Sequence, residues 1–208
     1  MLKVKSTKGA GVDQVKLLVY GAAGVGKTVL CSTAPKPIII SAEKGLLSLA
    51  DKEVDVLEIN SISELEQAFK IVKTGDWETV CLDSISEIAE VVLAEYKELV
   101  TDGRQAYGQL NDEMTKVIRK FRGLNVNVVL TAKELMEEKY SRPSMPGKTL
   151  TSSIPYFFDL VLYMKSTKNE RVLYTRDNFT YNAKDRSGKL DSKEAPNLTE
   201  IFEKVKNG

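Results

Sequence analysis

The sequence predicts an α/β fold in three layers, with a mostly parallel central sheet, helices on both of its faces and a β-hairpin near the C-terminus. Short apolar runs of strand length alternate with longer segments of helical periodicity along most of the 208 residues. Two apolar runs close to the C-terminus are joined by a short polar turn, which indicates the hairpin. The length suits a single domain over residues 1–208.

The first half of the chain divides into short elements. Residues 1–14 are predicted to be a flexible lead-in, and residues 16–21 a buried strand that ends in glycine. A helix at 26–34 ends where Pro35 and Pro37 interrupt it. The remaining elements of this half are strands at 38–41, 54–59 and 79–83, a short helix at 45–51, and two helices that open with Ser-x-x-Glu capping boxes at Ser61 and Ser84.

The second half begins with a predicted helix at 105–123 and a strand at 126–131. Residues 134–153 are polar and contain prolines, so we predict a long mobile loop there. The hairpin strands are predicted at 159–164 and 171–175, and a final helix at 198–206.

Composition excludes several classes of function. The net charge is +1, so a nucleic-acid surface would have to be a local patch. The chain has no histidine, which removes Ser-His and Cys-His catalysis. Cys31 and Cys81 lie in apolar segments without metal-ligand spacing, and we expect buried free thiols in a reducing cytosol. No apolar run is long enough to cross a membrane, so we expect a cytoplasmic protein with no membrane partner.

A phosphate-binding loop follows the first predicted strand. Its residues match the G-x-x-x-x-G-K-[ST] pattern, and they are Gly21, Ala22, Ala23, Gly24, Val25, Gly26, Lys27 and Thr28. The glycines let backbone N–H groups surround phosphate oxygens, and the helix N-terminus adds a favourable dipole. We expect Lys27 to reach the β- and γ-phosphates and Thr28 to ligate Mg²⁺, so the predicted ligands are ATP and Mg²⁺.

Asp83 ends a second core strand and is predicted to hold the Mg²⁺ through a water molecule. The alternative is an ordinary helix-capping aspartate. Many ATPases follow this aspartate with a glutamate that activates water, but here the next residue is Ser84. Hydrolysis is therefore slow, or its general base lies elsewhere. Glu87 is close, but helix capping explains it.

Glu43 follows the strand predicted at 38–41. The carboxyl ends of parallel strands converge, so Glu43 should lie on the same rim as the phosphate loop. Here the sequence resembles the RecA/RadA-type ATPases, which carry a catalytic glutamate after the strand that follows the phosphate-loop helix. The resemblance implies a sheet of RecA type and a general-base role for Glu43. The alternative is a solvated loop glutamate.

The same resemblance bears on Thr131, at the tip of the strand predicted at 126–131. It implies that Thr131 contacts the γ-phosphate, although the family more often has glutamine or asparagine near this position. Residues 131–134 depart from the family's pattern, so the sequence leaves open whether this strand couples nucleotide binding to DNA binding.

Lys184 and Arg186 resemble the Lys-x-Arg segment of DnaB-type ring helicases, in which both cations reach a neighbouring subunit's γ-phosphate. The resemblance implies catalytic fingers in trans and self-association into a ring or a filament. The alternative is a solvated surface loop.

RecA-like proteins bind single-stranded DNA through loops after the third and fourth core strands, which correspond to residues 101–107 and 134–153. The second segment supplies Lys139, Tyr140, Arg142 and Lys148, opposed by Glu137 and Glu138. Cations and an aromatic ring suit backbone neutralisation and base stacking. The alternative is a flexible surface loop.

The compact chain resembles phage-encoded RecA-core ATPases of the Sak type, which act in single-strand annealing and recombination. This implies ATP hydrolysis coupled to single-stranded DNA in a bacterial host, with a single-strand-binding protein as a further partner. Two alternatives stay open: a small-molecule phosphotransferase, and a non-catalytic annealing or adaptor module gated by ATP.

Overall fold

The computed structural model describes residues 13–43, 46–167 and 170–207. Its strands form one sheet, and they are β1 Lys16–Gly21, β2 Pro37–Ser41, β3 Asp55–Glu58, β4 Thr79–Asp83, β5 Asn127–Glu137, β6 Tyr140–Ser144, β7 Leu160–Ser166, β8 Arg171–Tyr174, β9 Lys184–Asp185 and β10 Lys193–Glu194. The helices are α1 Lys27–Cys31, α2 Ile62–Thr74, α3 Ile85–Leu99, α4 Gly103–Arg122, α5 Lys148–Ser153 and α6 Leu198–Asn207. Leu46–Leu49 and Ile154–Phe157 are 3₁₀ turns.

The centre of the sheet is parallel. Its strand order is β3-β2-β4-β5-β1-β7, followed by antiparallel β8 and then β10. Strands β6 and β9 add antiparallel edges to β5 and β7. The carboxyl ends of β1, β2, β4 and β5 therefore meet at one rim, with β5 between β1 and β4. The predicted fold class and C-terminal hairpin are confirmed.

Alternating side chains of each strand enter two separate cores. Leu18 and Tyr20 of β1 pack on the face covered by α2, α3 and α4. Leu17 and Val19 pack on the opposite face with residues of α1 and α6. This alternation produces the three predicted layers.

The serine caps of the two predicted capping boxes are confirmed. The Ser61 hydroxyl accepts a hydrogen bond from the Glu64 amide at 3.1 Å, and the Ser84 hydroxyl accepts one from the Glu87 amide at 3.3 Å. Cys31 and Cys81 are buried free thiols, as predicted. A hydrogen bond with Cys81, together with burial, raises the pKa of Cys31.

The predicted mobile loop at 134–153 is wrong. Strand β5 continues to Glu137 and pairs with β6 across a turn at Glu138, whose φ is 54°. Helix α5 then follows at Lys148–Ser153. The β5–β6 hairpin extends past the ends of the parallel strands, where its backbone is held by pairing between its own two strands. It therefore needs no continuous apolar run, and its polar composition resembled that of a loop.

Two smaller expectations also change. Residues 101–107, predicted to be part of a DNA-binding loop, contain the start of α4. The Asp102 carboxylate caps this helix by accepting a hydrogen bond from the Arg104 amide at 2.9 Å. The short helix predicted at 45–51 is the 3₁₀ turn Leu46–Leu49, and residue 45 lies outside the described residues. Residues 1–12 of the predicted lead-in also lie outside them.

Candidate nucleotide-binding site

The phosphate loop connects β1 directly to α1, and its backbone requires glycine at three positions. Gly24 and Gly26 have φ angles of 73° and 104°, in the left-handed region that glycine tolerates best. A Cβ placed on Gly21 would lie 2.3 Å from the Met164 carbonyl oxygen. The loop is therefore fixed by backbone geometry, as a cradle of N–H groups requires.

Lys27 folds back over this loop. Its Nζ donates hydrogen bonds to the carbonyl oxygens of Gly21 at 2.9 Å and Ala22 at 3.0 Å. Burial lowers the pKa of Lys27, and the negative charges of Asp83 and Glu43 oppose that shift. The ammonium group therefore lies where a polyphosphate would enter the cradle.

Asp83 lies at the centre of a hydroxyl pair. Thr28 Oγ1 donates to Asp83 Oδ2 at 2.6 Å, and Thr131 Oγ1 donates to Asp83 Oδ1 at 2.5 Å. The carboxylate is 6% exposed. Helix capping alone does not account for Asp83, because its carboxylate is hydrogen-bonded to the Thr28 hydroxyl of the phosphate loop.

Thr131 is 0% exposed and does not itself line the cleft, although it is hydrogen-bonded to Asp83, which does. Its hydroxyl donates to the Asp83 carboxylate, and its predicted contact with a γ-phosphate stays a prediction. Lys133 follows Thr131 by two residues, so both side chains lie on the same face of β5, and Lys133 is the one that lines the cleft.

Glu43 lies on the predicted rim. Ser41 of β2 is the register partner of Asp83 in β4, so the residues that follow the two strands are close together. Ser84 Oγ donates to Glu43 Oε1 at 3.0 Å, and the Ser41 hydroxyl accepts from the Glu43 amide at 3.1 Å. The serine that replaces the expected glutamate after Asp83 therefore contacts a glutamate contributed by the neighbouring strand.

The phosphate loop, Asp83 and Glu43 line a cleft of about 840 Å³, a size typical of ligand pockets. Sequence inspection missed three charged side chains in it: Lys133, Glu134 and Arg171. Lys133 forms an ion pair with Glu87, which raises the pKa of the Lys133 ammonium. The period-2 position of Lys133 after Thr131 was the one signal available in the sequence.

Arg171 begins β8 and crosses to the phosphate loop. A Cβ placed on Gly26 would lie 3.1 Å from Arg171 Nη1 and 3.2 Å from its Cζ. The guanidinium group thus borders the cradle, although 144 positions of sequence separate it from Lys27 (171 − 27). Only the pairing of β8 with β7 brings it there.

Lys184 and Arg186 lie away from this cleft. Strand β9 pairs with Leu160 and Val161 at the start of β7, whereas the phosphate loop follows the end of the parallel strand β1. Lys184 Nζ donates to the Pro155 carbonyl oxygen at 2.7 Å, and Arg186 pairs with Asp159 at 3.1 Å. Burial lowers the pKa of Lys184. Their predicted action in trans stays a prediction.

The four residues predicted to contact DNA do not form one surface. Tyr140 and Arg142 line a cavity of about 290 Å³ that also contains Lys184. Lys139 lines a different hollow, and Lys148 is exposed at the start of α5. Arg142 pairs with Glu137 at 2.5 Å, and the Tyr140 hydroxyl donates to Asp177 at 3.2 Å.

Mg²⁺ fits the donors at the phosphate loop. In the described part of the chain, no three His, Cys, Asp or Glu side chains cluster as a metal site. Thr28 and Asp83 offer the one or two protein ligands that Mg²⁺ takes when phosphate oxygens and waters complete its shell. Thr28 and Asp83 are therefore the residues that would hold Mg²⁺ beside a bound nucleotide.

A phosphate loop on a parallel sheet, with the carboxylate of Asp83 on β4 hydrogen-bonded to the loop's threonine, defines a P-loop nucleoside triphosphatase. A family described as an AAA domain, AAA_24, matches residues 13–187, and the chain belongs to that family. The protein is thus a P-loop ATPase, and the usual ligands of this class are ATP and Mg²⁺.

Two further proteins are similar to this chain. The SPbeta prophage-derived uncharacterized protein YorG of Bacillus subtilis (strain 168) is 25% identical over 170 residues, which cover 75% of this chain and 52% of that protein. The chain therefore spans about half the length of this relative. The KaiC-like protein PH0186 of Pyrococcus horikoshii OT3 aligns at 16% identity with a TM-score of 0.47, over 91% of this chain and 90% of that one.

The helices of the described residues include none with the length and apolar character that would let it cross a membrane.

Proposed function

We propose that this protein is an oligomeric RecA-like ATPase whose hydrolysis is coupled to single-stranded DNA, of the compact Sak type that serves phage recombination or annealing in the host cytosol. The observation that carries the catalytic part is the contact between Ser84 and Glu43 beside Asp83. The prophage origin of the B. subtilis relative supports the phage setting.

The phosphate loop, Asp83, Glu43 and Ser84 each have a role in this proposal. The loop amides and Lys27 bind the phosphates, while Thr28 and Asp83 hold Mg²⁺, which neutralises charge on the β- and γ-phosphate oxygens when bound. Glu43 accepts a proton from the attacking water and orients it towards the γ-phosphorus. The Ser84 hydroxyl holds the Glu43 carboxylate in position.

The substitution Glu43→Gln tests the general base. We expect the turnover number to fall by about 10²-fold or more, because the amide cannot accept the proton, with little change in binding of a nonhydrolysable ATP analogue. Glu58→Gln is the matched control, because Glu58 ends the neighbouring strand β3 and is exposed. Unchanged turnover in Glu43→Gln would favour the non-catalytic adaptor.

Lys184 and Arg186 are proposed to act on the γ-phosphate of a neighbouring subunit. Lys27→Ala and Arg186→Ala subunits, each inactive alone, should regain part of the wild-type activity when mixed, because one interface then holds an intact loop and an intact finger. Particle size measured with and without ATP checks the self-association on which this depends. Absence of any recovery would remove the finger from the mechanism.

Single-stranded DNA should raise the ATPase rate, with an effect that weakens steeply as salt increases. The measurement is ATP turnover with and without an oligonucleotide over a range of salt concentrations, repeated with a single-strand-binding protein added. Acceptor-dependent ADP release from nucleosides or nucleotides, without stimulation by DNA, would favour the phosphotransferase.

A further inference from the structure

A hollow of about 470 Å³ opens beside the nucleotide cleft, lined by tyrosines and lysines from separate parts of the chain. We call it the tyrosine–lysine face and define it by Tyr163, Tyr174, Tyr181, Lys139, Lys165 and Lys193. We propose that this face, and not the Tyr140–Arg142 cavity, binds the backbone and bases of single-stranded DNA. The inference rests on the proposed coupling to DNA and assigns its site.

The tyrosines form a connected aromatic cluster. The rings of Tyr163 and Tyr174 are stacked with centroids 6.1 Å apart, and the Tyr181 ring lies 5.0 Å from each of them. Tyr163 is buried, whereas Tyr174 and Tyr181 are partly exposed. The buried ring supports the two outer rings, which present a fixed surface on which a base can stack.

The lysines supply positive charge that no carboxylate of the described residues neutralises. All three side chains are exposed, and none pairs with a carboxylate among the residues that the structure describes. Lys193 Nζ lies 5.8 Å above the Tyr174 ring, so a cation and an aromatic surface adjoin. Three uncompensated ammonium groups around stacked rings suit a polyanion with unpaired bases.

The nearby polar groups sharpen the assignment. Glu134 accepts a hydrogen bond from the Tyr163 hydroxyl at 3.0 Å, and Asp177 accepts one from Tyr140 at 3.2 Å. These carboxylates border the face but are engaged with tyrosine hydroxyls. In the other cavity the charge of Arg142 is paired with Glu137, and the Lys184 ammonium keeps its charge but is directed at the Pro155 carbonyl oxygen, so neither cation is free to turn towards a phosphate.

The face is also joined to the ATP site. Met136 of β5 lines both the nucleotide cleft and the tyrosine–lysine face. Tyr163 and Lys165 of β7 line the face and also a groove that runs beside Ala22 and Ala23 of the phosphate loop. A strand bound here would touch the same β5 and β7 segments that border the nucleotide, which is a physical route for coupling.

The test measures binding of a fluorescent oligo-dT by anisotropy at several salt concentrations. The double substitution Lys165→Gln and Lys193→Gln should reduce the slope of log K against log salt by roughly 1.4, or about 0.7 for each lysine. Lys70→Gln with Lys73→Gln, which removes two exposed charges from α2, should leave the slope unchanged. Unfolding midpoints and binding of an ATP analogue verify that each variant is folded.

The aromatic part is tested with Tyr181→Leu, which keeps apolar bulk but removes the stacking surface. We expect oligo-dT affinity to fall by roughly tenfold, with the salt slope unchanged, because stacking carries no counterion release. Tyr156→Leu, in the other cavity and 78% exposed, is the control.

The outcomes separate the two proposals. If wild-type protein shows no oligo-dT binding even at low salt, coupling to DNA fails and this assignment fails with it. If oligo-dT binds and stimulates hydrolysis but the Lys165, Lys193 and Tyr181 variants behave as wild type, only the assignment is overturned. A selective loss in Arg142→Gln with Lys148→Gln would move the site to the originally predicted segment.

Discussion

The phosphate-loop cleft and the tyrosine–lysine face adjoin through Met136, yet they are built in different ways. The cleft takes its central groups from the ends of neighbouring parallel strands, and its loop is fixed by glycines that no other residue can replace cheaply. The face takes its lysine and tyrosine side chains from the β5–β6 turn, β7, β8, β10 and the segment before β9. Binding of a polyphosphate at fixed positions depends on rigid backbone, whereas binding of a flexible strand needs only charge and stacking surface.

Asp83→Asn should have the largest effect on ATP turnover and should not change binding at the tyrosine–lysine face. The amide carries no charge for Mg²⁺ and cannot accept from both Thr28 and Thr131 in the present arrangement. We expect turnover to fall by roughly 10²–10³-fold, as for loss of one transition-state-stabilising group, with oligo-dT affinity unchanged. Steady-state ATPase assays and anisotropy measure both. Asp51→Asn at an exposed turn is the control.

Gly21→Ala tests the rigidity of the cradle. The added Cβ would meet the Met164 carbonyl oxygen at 2.3 Å, and a backbone oxygen cannot move away cheaply. We expect the free energy of unfolding to fall by about 1–3 kcal/mol, as for overpacking elsewhere, and nucleotide affinity to fall with it. Chemical denaturation gives the free energy.

Gly108→Ala is the matched control for Gly21→Ala, since nothing lies within 4 Å of its added Cβ on α4. It should raise the free energy of unfolding by a few tenths to about 1 kcal/mol, because alanine is the better helix former. Equal effects of the two substitutions would contradict the difference in rigidity between the cradle and an open helix surface.

Arg171→Ala asks whether a single side chain from the hairpin contributes to the cleft. Its guanidinium borders Gly26, so it is within reach of a bound polyphosphate. We expect the Kd of a nonhydrolysable ATP analogue to rise by roughly tenfold, which is the loss of affinity expected when one charge-assisted hydrogen bond is removed. Arg176→Ala, an exposed neighbour on the same chain segment, should bind as wild type in the same calorimetric titration.

The smallest expected effect is a proton linked to nucleotide binding. Burial lowers the pKa of Lys27 in the nucleotide-free protein, and a polyphosphate beside the ammonium group would raise that pKa again. Binding should therefore take up a proton at alkaline pH, and affinity should fall as pH rises through the nucleotide-free pKa of Lys27. Calorimetry in buffers of different ionisation enthalpy measures the uptake, and Lys27→Met should abolish it.

Sequence patterns predicted the fold more completely than the site. The parallel sheet, the hairpin and the capped helices follow from local apolar periodicity and Ser-x-x-Glu signals, which act within a few residues. The β5–β6 hairpin was not predicted because antiparallel pairing between its two strands holds it, and its sequence has no apolar periodicity that would indicate a strand. The burial of Thr131 and its hydrogen bond to Asp83 depend on packing between strands, which a residue type at a strand end does not show.

By itself the sequence determined the phosphate cradle, since eight consecutive residues contain both its geometry and its chemistry. It also indicated Asp83 and Glu43, because the ends of parallel strands must converge. The tertiary structure alone decided the contact of Glu43 with Ser84, the approach of Arg171 to Gly26 and the gathering of the tyrosine–lysine face. These depend on strand order and register, which bring together residues too distant in the chain for any local pattern to connect.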